Sequence, residues 1–97
     1  MAELCFFDKC GTTFGCPVAS PTALKRMKQR AEIKSYKLPQ EIYPHKRRVV
    51  KAVDVAAVMG GCAWLVLERQ DFYKVEIVDK DETFYIEYEQ ENGGGAQ

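Results

Sequence analysis

Three cysteines lie close together near the start of the chain. Cys5, Cys10 and Cys16 fall within twelve residues, and Cys62 follows much later. Structural zinc sites usually have four sulfur or nitrogen ligands, so a site built from these three cysteines and either His45 or Cys62 is chemically feasible. No cysteine pair has the two-residue spacing typical of such sites. We therefore expect small buried thiols rather than a metal centre.

The segment from Cys5 to Phe14 has a recognisable pattern of its own. It resembles the first half of a zinc finger of the two-cysteine, two-histidine type, and the helix predicted after it stands where the finger helix would follow. The two histidines of that family are absent, because Met27, Arg30 and Ala31 occupy the corresponding places. We therefore predict that the protein binds no zinc and uses no cofactor.

Residues suited to catalysis are sparse. His45 is the only histidine, and it precedes the basic run Lys46-Arg47-Arg48. A catalytic histidine needs a nucleophile or a carboxylate beside it, and no pattern in the sequence provides one. The sequence contains no phosphate-binding loop, dinucleotide-binding glycine motif, zinc-protease motif or serine-hydrolase motif. We therefore expect a protein without enzymatic activity.

The distribution of charge is the clearest functional signal. Residues 21–51 contain ten Lys or Arg and two Asp or Glu, a net charge of +8, whereas residues 52–97 contain three and ten, a net charge of −7. The basic segment could bind nucleic acid or an acidic protein, or the two segments could attract each other within the fold. The residues predicted to contact a partner are Lys25, Arg26, Lys28, Arg30, Lys46, Arg47 and Arg48, together with the aromatic Trp64 and Tyr85.

One helix is well marked in the sequence. Ser20 can cap its first turn, and Pro21 suits the first helical position, where a missing N–H costs nothing. The pattern predicts a helix over residues 21–32, preceded by twenty residues of loop or short extended pieces. Its apolar stripe consists of Leu24, Met27 and Ala31.

The rest of the chain has the pattern of a β-sheet. The valines of residues 48–58 favour a strand over a helix, and Gly60-Gly61 is then typical of a hairpin turn. Short polar links separate the alternating runs that follow, which indicates further hairpins. We thus predict an α+β fold in which one N-terminal helix (about 21–32) covers an antiparallel β-meander of three to four strands, at about 48–58, 62–68, 72–78 and 83–89.

The lengths of these links predict a strand register. Val75 would lie opposite both Leu65 and Ile86, and Ile77 opposite Phe84, so that one face of the sheet is wholly apolar. The helix is the expected cover for that face. The opposite, mixed face would hold Trp64, Val66, Phe72, Lys74, Glu76, Tyr85 and Glu87, with Lys74 and Glu87 as a cross-strand pair.

Length and composition point to one small domain. We expect it to span residues 1–91, with the glycine-rich residues 92–97 as a flexible tail. No apolar run has the roughly 20 residues that a membrane helix needs. The first residues do not resemble a secretory signal, so we expect a cytoplasmic protein that does not bind membranes.

These observations favour an interaction protein. We predict a small regulator or inhibitor that binds a larger macromolecular complex. Compact accessory proteins of phages and mobile elements, which act on host nucleic-acid-processing or defence complexes, often have this character. The alternative is a nucleic-acid-binding domain that uses the basic segment 25–51, with or without a cysteine-bound zinc. The sequence does not predict the oligomeric state.

Overall fold

A mixed β-sheet forms the framework of the molecule in the computed structural model, which describes residues 2–34 and 47–88. Its strands are β1 (Glu3–Asp8), β2 (Thr13–Pro17), β3 (Glu32–Lys34), β4 (Arg47–Lys51), β5 (Phe72–Ile77) and β6 (Glu82–Glu87). The helices are α1 (Pro21–Arg30), α2 (Ala52–Met59) and α3 (Ala63–Glu68), with 3-10 turns at Gly60–Cys62 and Val78–Lys80. The predicted α+β class is confirmed.

The order of the strands differs from a simple meander. The six strands lie in the order β2-β1-β5-β6-β4-β3, with β4 parallel to β6 and every other pair antiparallel. The prediction of three to four sequential antiparallel strands under one helix is therefore wrong. A parallel pair needs a crossover connection, and α2 and α3 belong to the connection that leads from β4 through β5 to β6.

The first residues, predicted as loop or short extended pieces, form a β-hairpin of β1 and β2. Asp8 begins its turn, and its carboxylate accepts hydrogen bonds from the amides of Cys10 and Thr12 at 3.0 and 2.9 Å. Gly11 completes the turn with a positive φ of 88°, which favours glycine. β1 also pairs with β5, so a segment without a clear strand signal becomes an interior strand of the sheet.

The valine-rich segment predicted as one strand divides into two elements. Residues 47–51 form β4, and α2 begins at the next residue without a loop. The prediction for 48–58 is therefore wrong beyond Lys51. Val50 lies in the sheet opposite Ile86, whereas Val55 and Val58 are buried on α2. Valine suits a strand, but helix-spaced valines also fill a core, and here burial outweighs strand propensity.

Residues 62–68 form the end of a 3-10 turn and then α3, so the predicted strand and the pairing of Leu65 with Val75 are wrong. Gly60 does not serve as a hairpin turn. It ends α2 with a φ of 67°, and a Cβ built there would lie 2.8 Å from the Cβ of Ala19. Glycine therefore lets α2 approach the chain that precedes α1.

β5 and β6 are antiparallel as predicted, but two residues out of the predicted register. Val75 lies opposite Phe84, where the prediction placed Ile77. The link has the same four-residue length as predicted but begins one residue earlier, because Val78–Lys80 forms a 3-10 turn and Asp81 adopts a left-handed conformation. A shift of two residues does not by itself move a side chain to the other face. Val75 and Ile86 thus still share the apolar face.

The same shift removes the predicted pair between Lys74 and Glu87. Lys74 lies opposite Tyr85 and forms an ion pair with Glu76 at 3.5 Å. Its ammonium nitrogen also lies 4.6 Å from the centre of the Phe7 ring. The mixed face of the sheet is therefore internally paired at this position.

The three helices pack on one face of the sheet and bury the core there. The predicted packing of α1 is confirmed, since Met27 is fully buried and Leu24 and Ala31 pack beside it. The fully buried side chains are Leu4, Phe6, Val75, Ile77 and Phe84 from the strands and Met27, Val55, Val58 and Val66 from the helices. No helix of the described residues is long and apolar enough to cross a membrane.

Phe72 lies in this core and not on the mixed face, contrary to prediction. The pairing of β1 with β5 shifts between Phe7 and Asp8, so that Phe7 lies opposite Lys74 but Asp8 opposite Phe72. This β-bulge turns Phe72 onto the core face, where its ring centre lies 5.5 Å from that of Phe6.

Candidate functional site

The structure divides the predicted basic site into separate groups. Lys28 on α1 and Arg48 on β4 both contact the carboxylate of Glu82, at 3.1 and 3.5 Å. Arg48 also lies over the ring of Phe84, 4.3 Å from its centre. These two cations thus join α1 and β4 to the start of β6, and part of the predicted site is structural. Lys46 lies outside the described residues.

Burial would raise the pKa of Glu82, but hydrogen bonds and charge interactions with Lys28 and Arg48 outweigh it. The pKa of Glu82 is therefore below the ordinary value of a glutamate. The carboxylate stays ionised and holds both cations close to the fold.

Two further ion pairs join the basic segment to the acidic segment. Arg30 at the end of α1 donates to Asp54 on α2 at 2.9 Å, and Lys34 on β3 pairs with Glu87 on β6. The opposite charges of the two segments are thus partly neutralised by contacts between neighbouring elements.

Arg47 and Tyr85 lie on the other side of the sheet from the helices. Arg47 is buried, and its guanidinium carbon lies 5.3 Å from the centre of the Tyr85 ring. Tyr85 is half-buried, and its ring centre is 6.4 Å from that of Tyr73. The sequence therefore named two residues that contact each other, and the sheet separates them from the exposed cations of α1.

The remaining predicted cations are exposed. Lys25 and Arg26 lie on the solvent side of α1, and in residues 2–34 and 47–88 neither forms an ion pair. Arg26 and Arg30 are four residues apart and therefore lie on one side of the helix. Because Arg30 reaches Asp54, this is the side that faces α2.

Trp64 belongs to a helix, not to the sheet face where we predicted it. In α3, Val66 is fully buried, and Trp64 lies on the opposite side of the helix with 59% of its surface exposed. Leu67, on the next turn, is 47% exposed. A short helix thus presents two large apolar side chains to solvent.

The helix α2 also exposes apolar side chains. Val53 is 53% exposed, and the neighbouring outward position, one turn later, is Ala57. Val55 lies on the buried side, so the outward side of α2 carries small apolar residues where a surface helix normally carries polar ones. Asp54 is the only charged residue of the helix, and it is engaged by Arg30.

These residues lie on the solvent side of one helix layer. α1 and α2 are antiparallel, because Arg30 contacts the start of α2 while the amide of Ala19, before α1, donates to the Val58 carbonyl near the end of α2 at 2.9 Å. α3 follows α2 and packs against it. The helix-layer surface is defined here as Arg26, Val53, Ala57, Trp64 and Leu67.

Sequence reasoning identified Trp64 and Arg26 of this surface but missed its α2 and Leu67 positions. The missed signal is the composition of residues 52–59, AVDVAAVM, which is apolar on every side of a helix. A helix of that kind normally has no solvent side.

The cysteines of the zinc-finger-like segment are not gathered around one point. Cys5 lies on the sheet face away from the helices, Cys10 is exposed in the hairpin turn, and Cys16 is buried on the core face. Among the described residues no three potential ligands are grouped to hold a metal ion. His45, the other proposed ligand, lies outside the described residues.

A cleft of about 430 Å³ opens beside β3, β4 and the start of α2. Its charged groups neutralise one another through the pairs Arg30–Asp54 and Lys34–Glu87. The described residues that line the cleft include no cysteine, serine or histidine.

Comparison with known proteins finds no family model that matches this chain, and no curated protein or solved structure with significant similarity.

Proposed function

We propose that the protein is a non-enzymatic interaction module that binds a protein partner through the helix-layer surface. The observation that carries this proposal is the apolar outward side of α2 and α3. Folded monomers rarely expose a large contiguous apolar patch unless it takes part in binding. Trp64 is 59% exposed and has the character of a binding hot spot, because tryptophan buries a large area and loses little side-chain entropy.

The charge beside this surface indicates the kind of partner. Arg26 lies on the side of α1 that faces α2, and the neighbouring Lys25 lies on the outer side of α1. Exposed cations at the rim of an interface mainly speed association with an acidic surface. The preferred partner therefore has an apolar patch bordered by carboxylates.

The biological setting is part of the same proposal. We place the protein in the cytoplasm, as a regulator or inhibitor of a larger complex. A host nucleic-acid-processing or defence complex is the partner class that the small size and segregated charge favour. Direct binding to nucleic acid has weaker support, because Lys28, Arg30 and Arg48 are each paired with a carboxylate.

The proposal is tested by comparing Trp64→Ala with Val78→Ala. Val78 is a matched control, since it is 57% exposed but lies in the β5–β6 link. The full chain is immobilised, proteins retained from a cell extract are identified, and the affinity of the main one is measured with purified components. We expect a stoichiometric partner whose affinity falls by at least roughly 30-fold for Trp64→Ala and is unchanged for Val78→Ala.

Two results contradict the proposal. One is equal affinity of both variants for the partner. The other is recovery of nucleic acid in place of protein, with an affinity that falls steeply with salt and depends on Lys25 and Arg26.

A further inference from the structure

Two cysteines that are distant in sequence meet where β2 approaches the turn between α2 and α3. Cys16 on β2 is buried, and Cys62, half-buried at the end of the 3-10 turn, lies near enough to act on the pKa of its thiol. Both side chains pack in the same hydrophobic cluster. They therefore form a thiol pair that joins the N-terminal hairpin to the helix layer.

The backbone holds these two elements together close to the thiols. Ala19, shortly after Cys16, donates its amide to the carbonyl of Val58 at 2.9 Å. Gly60, two residues before Cys62, approaches Ala19 so closely that any Cβ on it would lie 2.8 Å from the Ala19 Cβ. Close backbone packing thus brings together the two segments that carry the cysteines.

We propose that Cys16 and Cys62 are a site of reversible oxidation that forms an intramolecular disulfide at the expense of a small disulfide such as oxidised glutathione. The thiolate of Cys62 attacks one glutathione sulfur, which gives a mixed disulfide and releases one glutathione thiolate. The thiolate of Cys16 then attacks the Cys62 sulfur and displaces the second glutathione. The two cysteines lose two electrons and two protons, and oxidised glutathione is reduced to two thiols.

The order of attack follows from the surroundings of the two sulfurs. Burial, aided by the neighbouring Cys62 thiol, raises the pKa of Cys16 to about 11. Few Cys16 thiolates exist at neutral pH, and the buried sulfur is shielded from the oxidant. Cys62 is closer to solvent, so it reacts first, and the closing step by Cys16 becomes faster as the pH rises toward about 11.

The oxidation would act on the helix-layer surface. Cys62 directly precedes α3, which carries Trp64 and Leu67. A disulfide would fix the start of α3 to β2. Trp64 is the only tryptophan of the chain, so its fluorescence reports on this helix. An effect on partner binding rests on the proposed function, whereas the disulfide itself does not.

The test incubates the full chain in glutathione buffers of increasing oxidised fraction. Free thiols are then alkylated, the intact mass is measured, and the cross-linked peptides are identified. We expect a Cys16–Cys62 disulfide with the loss of two hydrogens per chain, a melting temperature raised by on the order of 10 °C, and a changed Trp64 emission. Added dithiothreitol should reverse all three changes.

Cysteine variants locate the reaction. Cys10→Ser serves as the matched control because Cys10 is exposed in the hairpin turn, and it should oxidise like the wild type. Cys62→Ser should form no internal disulfide, and Cys16→Ser should stop at the mixed disulfide on Cys62. Circular dichroism of the reduced variants confirms that they are folded.

The inference is overturned if Cys16 and Cys62 remain fully alkylated in every buffer, or if their disulfide forms only in urea. If the protein forms the disulfide normally but neither the wild type nor any variant binds a partner, the proposed function is contradicted and the redox site is not.

Discussion

At the residue scale, Asp8 shows how one buried carboxylate organises both a turn and a long-range contact. One of its oxygens accepts the amides of Cys10 and Thr12, and the other accepts a hydrogen bond from Arg69 at 2.9 Å. The Arg69 guanidinium also lies over the ring of Phe72, 4.4 Å from its centre. Arg69, in the link between α3 and β5, therefore joins the N-terminal hairpin to the start of β5. No pattern in the sequence predicted this contact.

Removal of this carboxylate should destabilise the protein measurably. Asp8→Ala leaves two turn amides without their acceptor and removes one of the two carboxylates that Arg69 contacts, the other being Asp71. We expect a loss of about 1–3 kcal/mol in the free energy of unfolding. Asp8→Asn should lose less, because its amide oxygen can still accept the turn amides. Urea denaturation of the three proteins measures the difference. Equal losses for Asn and Ala would mean that the turn hydrogen bonds contribute nothing.

At the scale of elements, the predictions succeeded where a local signal specifies the structure. Ser20 accepts a hydrogen bond from the Ala23 amide at 3.1 Å, as an N-cap should, and α1 begins at Pro21 as predicted. Residues 62–68 lack such a signal. An apolar run of that length fits a strand and a short buried helix equally well, and only its packing beside α2 decides between them.

The candidate surface follows the same division. Its one charged member, Arg26, was found because clustered cations are visible in the sequence. Val53, Ala57 and Leu67 were missed because exposed and buried apolar residues look alike until the helices are placed. Tyr85 and Arg47 were predicted as partner-binding residues from their side-chain types alone. Their contact with each other depends on the parallel pairing of β4 with β6, a long-range feature that the sequence does not reveal.

Glu82 connects three elements, and its contribution should depend on pH. Its pKa is lowered in the folded protein, so the associated stability is fully present above the ordinary glutamate pKa and is lost as the pH falls through the lowered value. We expect Glu82→Gln to reduce the melting temperature at pH 7 and the deficit to shrink below about pH 4. The control is Glu68→Gln on α3, for which no comparable change is expected. A deficit that is independent of pH would rule out the ionised carboxylate as the cause.

At the scale of the whole molecule, the segregation of charge along the chain partly reflects the fold, because elements of opposite charge lie side by side. The basic α1, β3 and β4 lie against the acidic β6 and the single carboxylate of α2. Within residues 2–34 and 47–88, the ion pairs that join the two segments include Lys28–Glu82, Arg48–Glu82, Arg30–Asp54 and Lys34–Glu87. Net charge by segment therefore overstates the positive charge available to a partner, and exposure must be considered residue by residue.

Two charge reversals separate the structural cations from the available ones. Arg26 is exposed, so Arg26→Glu should change the free energy of unfolding by no more than about 0.5 kcal/mol while slowing association with an acidic partner. Arg48 lies over Phe84 and beside Glu82, so Arg48→Glu loses both contacts and places two carboxylates together. Because Arg48 is partly exposed and screened by solvent, we expect a loss of about 1–2 kcal/mol.

Urea denaturation of Arg48→Glu at low salt and at high salt distinguishes the two causes of its lower stability, the repulsion between carboxylates and the lost contact with the Phe84 ring. Salt screens the repulsion between the carboxylates at positions 48 and 82 but restores no contact with the Phe84 ring, so high salt should recover only a part of the lost stability. If Arg26→Glu destabilises the protein as strongly as Arg48→Glu, then Arg26 is itself a structural partner. The helix-layer surface would then lose its charged rim, and a partner with an acidic border would no longer be favoured over one without charge.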